Sequence, residues 1–279
     1  MTGTQDGGGP QAELAAQFLH LHRPGQPLLM PNAWDVGSAV LLASLGFEAL
    51  ATTSGGFATS KGKLDGAMAA DDVLAHVEEL AAAISVPLSA DLENGFDAEP
   101  GKVARTIAHA IAAGVAGCSV EDFTGHADEP IYDLGLAVAR IEAAAEAAHD
   151  GPVRVVLTAR AENYLHGRPD LADTITRLQA YQEAGADVLF APRLHEPDEL
   201  RQLLAEVDLP VSVLALPGAP NVAELAALGV SRISVGGAFA VAAYGALVTA
   251  ATELRDQGTY GYWEQTGIGG RAIRDAFSR

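Results

Sequence analysis

Eight short apolar runs rich in β-forming residues punctuate the chain, and a stretch of helical period follows each one. This alternation confines the chain to repeated βα units around a parallel sheet, because each buried strand has to be covered by the helix that follows it. The runs are Leu28–Pro31, Glu48–Thr53, Pro87–Glu93, Ala116–Glu121, Val153–Arg160, Asp187–Pro192, Val211–Leu214 and Arg232–Val235. Gly46, Gly114, Gly185 and Gly229 stand where helices end, and Pro87, Pro152 and Pro210 open strands. Glycine ends helices because it tolerates a left-handed backbone, and proline is accommodated at the first residue of a strand.

The intervening segments have helical period. From Asp71 to Ile84, the residues Val73, Leu74, Val77, Leu80, Ala81 and Ile84 fall on one helix face. A chain of 279 residues with no linker between units predicts an α/β fold, a closed (β/α)8 TIM barrel over residues 12–256. A disordered tail over 1–11 is expected before it, and a C-terminal helical extension over 257–279 after it. Tyr260, Tyr262 and Trp263 make that extension a candidate oligomer contact. The competing architecture is an open doubly wound sheet. It normally places a glycine-rich dinucleotide loop after its first strand, and Pro31-Asn32-Ala33-Trp34 is not one.

Charge narrows the partners. Lys and Arg number 17 against 36 Asp and Glu, a formal charge of -19, which repels phosphate backbones and anionic membrane surfaces. Neither nucleic acid nor membrane is expected as a partner. The uncharged span Ile233 to Thr252 is broken by Gly236-Gly237 and reads as a buried strand followed by a buried helix. Cys118 is the single cysteine and has no disulfide partner within the chain, which fits a reducing cytoplasm. The first ten residues lack the basic and apolar regions of a secretory signal.

Function in such a barrel sits where strands end and βα loops begin. By the two-residue strand period Ser89, Asp91 and Glu93 share one face, Gly117, Ser119 and Glu121 another, and Val156, Thr158 and Arg160 a third. Three carboxylates at one mouth call for a compensating cation. An all-oxygen set without histidine favours a hard divalent ion, Mg²⁺ first and Mn²⁺ as a substitute. In the competing reading these acids pair with Arg160 and surface lysines.

The chain also resembles a known family. Pro31-Asn32-Ala33-Trp34-Asp35, Thr53-Ser54-Gly55-Gly56, Asp65-Gly66, Ala90-Asp91-Leu92-Glu93-Asn94-Gly95-Phe96, Val120-Glu121-Asp122 and Ala159-Arg160 together resemble the isocitrate lyase/phosphoenolpyruvate mutase superfamily. The resemblance implies a (β/α)8 barrel, a homotetramer of paired dimers exchanging a C-terminal helix, and Mg²⁺ chelated by a 2-oxo or hydroxy acid. It implies Asp91 as the principal metal ligand, with Glu93 and Glu121 holding metal-bound waters. Arg160 is then the partner of a substrate carboxylate. Backbone N–H groups around Thr53, Ser54 and Gly55, together with Trp34, contact the substrate, and Asp65 lines the reaction site.

One interval departs from that family. Lyases of isocitrate and methylisocitrate carry a Lys-Lys/Arg-Cys-Gly-His stretch after the fourth strand, whereas here the chain reads Glu121-Asp122-Phe123-Thr124-Gly125-His126-Ala127-Asp128-Glu129-Pro130. The cysteine acid is missing, and so is the Lys- and Asn-bearing loop of the phosphonopyruvate-processing members. His126 is a candidate general acid in that loop, set against a solvated surface histidine. Cys118 reads as a buried small hydrophobe. Asn163, Tyr164 and His166 are site walls or polar surface, and Gly236-Gly237 is a close turn rather than a phosphate cradle.

The expected activity is therefore Mg²⁺-dependent cleavage or hydrolysis of a C–C bond in a small 2-oxo or hydroxy (di)carboxylic acid, through an enolate. A phosphonate C–P enzyme is one alternative. Others are a non-catalytic 2-oxo-acid-binding protein and a barrel enzyme for phosphate ligands.

Overall fold

The computed structural model describes residues 9–278. Most of the tail expected over 1–11 lies outside the described residues, while 10 and 11 already belong to a helix. In chain order the elements are α1 (Pro10–His20), β1 (Leu28–Met30), β2 (Asn32–Ala33), α2 (Val36–Ser44), β3 (Leu50–Thr52), α3 (Ser54–Ser60) and α4 (Ala70–Ala83). There follow β4 (Leu88–Asp91), α5 (Pro100–Ala112), β5 (Gly117–Glu121), α6 (Leu134–His149), β6 (Val156–Arg160), α7 (Leu171–Glu183) and β7 (Val188–Phe190). The last are α8 (Pro197–Glu206), β8 (Val211–Leu214), α9 (Val222–Leu228), β9 (Arg232–Ser234), α10 (Ala238–Gln257) and α11 (Trp263–Phe277).

All strands pair in parallel, in the order β1-β9-β8-β7-β6-β5-β4-β3-β2. The first strand position runs on to Ala33, past the expected Leu28–Pro31, and Pro31, which has no N–H to give the ladder, divides it into β1 and β2. β1 pairs with β9 and β2 with β3, so the two halves together occupy one position and the barrel has the eight expected. Asn32 pins this seam. Its Nδ2 donates to Thr52 O at 2.7 Å, and its Oδ1 accepts from Val235 N at 3.1 Å and Gly236 N at 2.9 Å.

Asp35 ends the same motif as an N-cap. Its Oδ1 accepts from Ser38 N at 2.6 Å, and the Ser38 hydroxyl accepts from Asp35 N at 3.1 Å. This reciprocal pair satisfies two otherwise unbonded donors at the start of α2. At the opposite end of the barrel α1 closes the base. A Cβ on Gly117 would lie 2.6 Å from Phe18 Cε1, so only glycine lets β5 begin against that ring.

The helices lay their apolar stripes on the strands, as Val73, Val77 and Leu80 of α4 do. α10 is different. It runs for 20 residues, of which only Ala240 is buried, and it leaves Phe239, Val241, Leu247, Val248 and Leu254 exposed. Beyond it α11 folds back onto α2, with Phe277 beside Gly37. Among the described residues no helix is long and apolar enough to cross a membrane.

Candidate active site

The C-terminal ends of the strands surround a cavity of ≈ 170 Å³. That is below the ~300–1,000 Å³ of sites for drug-sized ligands and suits a small molecule. Its wall includes Asn32, Thr53, Ser54, Asp65, Asp91 and Arg160.

Arg160 organises the mouth. Its Nη1 donates to Asp91 Oδ1 at 2.9 Å, its Nη2 to Glu121 Oε2 at 2.8 Å and its Nε to Glu162 Oε1 at 2.8 Å. Register explains the meeting, since Glu121 and Arg160 are direct neighbours across β5 and β6. The remaining carboxylate oxygen of Asp91 accepts from Ser54 N at 3.0 Å, while Asp91 N donates to the Thr52 hydroxyl at 2.8 Å. The Thr53-Ser54 turn is thus aimed at the aspartate, with Thr53 capping α3 by accepting from Gly56 N at 3.3 Å.

The cluster is too negative for its one guanidinium. Burial alone would lower the Arg160 pKa, but Glu121, Glu162 and Asp91 outweigh it and hold the side chain firmly protonated. Glu121 is pushed well up by burial despite Arg160, and Glu162 is raised for the same reason. Glu93 is pushed up to about 7 by burial and by the neighbouring charges of Asp91 and Asp65. Its Oε1 is buried without a hydrogen-bond partner, and its backbone is left-handed at φ 49°. Such strain in a non-glycine residue is held by its surroundings. Here Glu121 N donates to Glu93 O at 3.0 Å, and Arg140 donates to the carbonyls of Glu121 and Asn94.

These residues fit a hydrated divalent cation. Among the described residues no three acid, histidine or cysteine ligands converge closely enough to hold an ion by themselves, whereas Mg²⁺ uses one or two carboxylates and keeps several waters. Asp91 faces the cavity, Glu93 offers an unpartnered oxygen, and the excess negative charge supplies the attraction. Of the acids expected there, Asp91 and Glu121 also pair with Arg160, whereas Glu93 does not, and among the described residues no lysine pairs with them.

Other expected residues separate. Asp65 lines the cavity and lies against Gly55, where a Cβ would come within 3.1 Å of its Oδ2. Trp34 sits beside Gly56, behind the lining residues. His126 is exposed and lines a different groove, with Asp128, Arg168 and Arg177, because Thr124 and a bridge from Phe123 to Ile131 fold its loop outward. Of the segment after Arg160 only Leu165 reaches the cavity. Asn163 braces α7 through Thr174, Tyr164 donates to Glu199, and His166 stacks on Phe123. Cys118 is fully buried on the outward face of β5.

Two residues escaped the sequence reading. Glu162 lies two positions beyond Arg160, and strand alternation continued past the end of β6 would have found it. Arg232 shares the inward face of β9 with Ser234 and lines the cavity from below. Asp122, beside Glu121, turns outward instead, where Arg177 at 3.2 Å, Tyr181 at 2.6 Å and Glu162 N at 2.8 Å hold it.

Known proteins share this fold and much of this sequence. A lyase/mutase candidate from Burkholderia cenocepacia J2315 has a solved structure with 52% identity and a TM-score of 0.92, covering 97% of each chain. The 2-methylisocitrate lyase of Escherichia coli K12 is 32% identical over 69% of this chain and 70% of its own length. The oxaloacetate decarboxylase of Chromohalobacter salexigens is 30% identical over 88% of this chain and 87% of its own. The family model described as phosphoenolpyruvate phosphomutase matches residues 18–255. The chain belongs to the isocitrate lyase/phosphoenolpyruvate mutase superfamily.

Proposed function

We propose that this protein is a Mg²⁺-dependent lyase or hydrolase that cleaves a C–C bond in a small 2-oxo or 2-hydroxy (di)carboxylic acid through an enolate. The observation that carries this reading is the three-pronged Arg160 at the mouth of the ≈ 170 Å³ cavity, beside Asp91. A guanidinium that already holds carboxylates in a fork can exchange one of them for a substrate carboxylate without losing its bonds. Asp91 would hold the metal directly, with Glu93 and Glu121 acting through water. Bound there, Mg²⁺ would supply stabilisation of the negative charge that develops on the 2-oxygen.

The chain's own residues do the rest. The backbone N–H groups of the Thr53-Ser54-Gly55 turn other than that of Ser54, which holds Asp91, orient the substrate oxygens, and Asp65 stands at the wall as the positioned carboxyl. No cysteine occupies the loop after Glu121, so Asp65 takes the proton of the substrate hydroxyl, or of the attacking water in a hydrolysis, as the C–C bond breaks, and the enolate carbon is protonated from Asp65 or water. The phosphonate alternative draws on the family's description, and the same assay addresses it.

We further place the protein in the cytoplasm as a homo-oligomer, a dimer of dimers. The unpartnered apolar residues of α10 support this assembly, because a second copy would bury them.

The test is turnover and calorimetric binding of oxaloacetate, methylisocitrate, dimethylmalate and phosphonopyruvate with Mg²⁺, for the native protein and for Asp91→Ala. The expected result is turnover of a carboxylic acid and loss of metal-dependent binding in the folded variant. Binding retained by Asp91→Ala would sink the metal assignment. Binding without turnover of any acid would make the chain a 2-oxo-acid-binding protein, and turnover of phosphonopyruvate alone would make it a C–P enzyme.

A further inference from the structure

The cavity has a second cation at its base. Arg232 comes from β9, is 3% exposed and lines the same space as Arg160. Among the described residues its partners are all neutral. Nε donates to the Ser212 hydroxyl at 2.9 Å, and Nη1 donates to the Thr158 hydroxyl at 3.1 Å and lies 3.2 Å from His22 Nε2. His22 brings no charge of its own, because burial pushes its pKa down to about 3 and its Nδ1 is bonded to Phe18 O. Among the described residues no acid lies within ion-pair distance of Arg232, while three carboxylates crowd Arg160 above it.

A buried guanidinium with no counter-charge is costly. Burial and repulsion from Arg160 lower its pKa to about 9, which still leaves it charged at neutral pH. The surroundings are built for a polar guest. TIM barrel interiors are usually packed with Val, Ile and Leu, yet here Ser89, Ser119 and Ser234 line the well above Arg232. The result is a shaft with an acidic rim and a cationic floor.

We infer that the floor of this well is an anion-binding subsite in which Arg232 takes a single negatively charged group, the second carboxylate of a dicarboxylic substrate. The assignment to substrate rests on the reading that the mouth binds a 2-oxo acid. The anion subsite itself does not, since its chemistry also suits a small free anion. A monoacid would leave Arg232 uncompensated, so the floor selects diacids.

Two measurements test this with the native protein, Arg232→Gln and Arg232→Lys. In the first, calorimetric binding with Mg²⁺ compares 2-oxobutyrate with 3,3-difluorooxaloacetate, a monoacid and a diacid of equal carbon count. The native protein should prefer the diacid at least about tenfold; Arg232→Gln should erase that preference and Arg232→Lys keep part of it. Arg160→Lys should weaken both acids alike. In the second, melting is followed without acid or metal as sodium nitrate rises, against the sodium salt of a bulky sulfonate at equal ionic strength. Nitrate should raise the melting temperature of the native protein and not of Arg232→Gln.

A nitrate response that needs Arg232, without any diacid preference, supports the subsite with a free anion as occupant and overturns the substrate assignment. Diacid preference and nitrate response both retained in Arg232→Gln overturn the subsite altogether. Should Arg232 be merely structural, Arg232→Gln would melt well below the native protein, whereas relief of an unpaired charge leaves it level or higher. If no 2-oxo acid binds the native protein, the reading of the mouth fails, and the nitrate measurement still decides the floor.

Discussion

Arg160 reaches from β6 past the intervening strand to Asp91 on β4, Nη1 to Oδ1 at 2.9 Å, while its Nη2 engages Glu121 on that intervening strand. One side chain therefore ties three strand ends together at the mouth of the barrel. Stability and binding are coupled at this point, and the coupling can be tested.

Arg160→Lys keeps the charge and loses the fork. A point ammonium cannot serve Asp91, Glu121 and Glu162 together, so at least one buried carboxylate loses its cation. Removing one partner of a buried pair costs about 3–5 kcal/mol, and the retained charge should make the loss smaller. The expected outcome is a lower melting temperature and 2-oxo-acid affinity reduced at least about tenfold. Native values of both in calorimetry would show that the fork is dispensable.

Cys118→Ser should leave turnover nearly intact. The thiol is fully buried on the face opposite the site, and burial, with the Asp187 charge adding to it, pushes its pKa up to about 12, which makes it an inert thiol. An unpartnered hydroxyl there would cost about 1–3 kcal/mol of stability. Turnover is to be compared at a temperature where both proteins are folded. A drop of roughly a thousandfold would mean that β5 presents its other face to the site.

His126→Ala separates the loop histidine from the chemistry. Loss of a general acid typically costs about 10²–10⁴ in rate, but His126 lines a groove apart from Asp91 and Arg160. Turnover of the variant is expected within about tenfold of the native protein. A larger loss, with the fold intact by circular dichroism, would mean that the loop swings over the mouth during reaction.

Asp187 governs part of the acid sensitivity. Burial pushes its carboxyl up, but bonds from His149 at 2.9 Å, Leu157 N at 2.9 Å and Arg154 at 2.6 Å outweigh this and hold it below the usual range. A carboxyl with a lowered folded pKa contributes stability that is fully present above its unfolded value, ~3.9, and lost as pH falls through the folded value. Asp187→Asn should therefore be less stable than the native protein at neutral pH, and the gap should narrow below about pH 4. A gap that stays constant across an acid titration of the melting temperature would show that the ionised form is not what stabilises.

The barrel was legible in the sequence because its determinants are local. Strand alternation and the Gly and Pro boundaries each operate within a few residues, and they placed all eight strand positions, with Pro31 dividing the first. The same alternation put Asp91, Glu121 and Arg160 on inward faces and Cys118 on an outward one, as found. The tertiary structure decided whatever depends on distance across the barrel. Glu162, bonded to Arg160 only two residues before it, was within reach of the same alternation, whereas His126 left the cluster because its loop folds outward. Arg232 acquired neutral partners from β6, β8 and the segment after α1, residues 20 to 210 positions away in the chain. Periodicity tells which way a side chain points. Only closure of the barrel determines which charges it meets there, since electrostatic neighbours are set by distances in space.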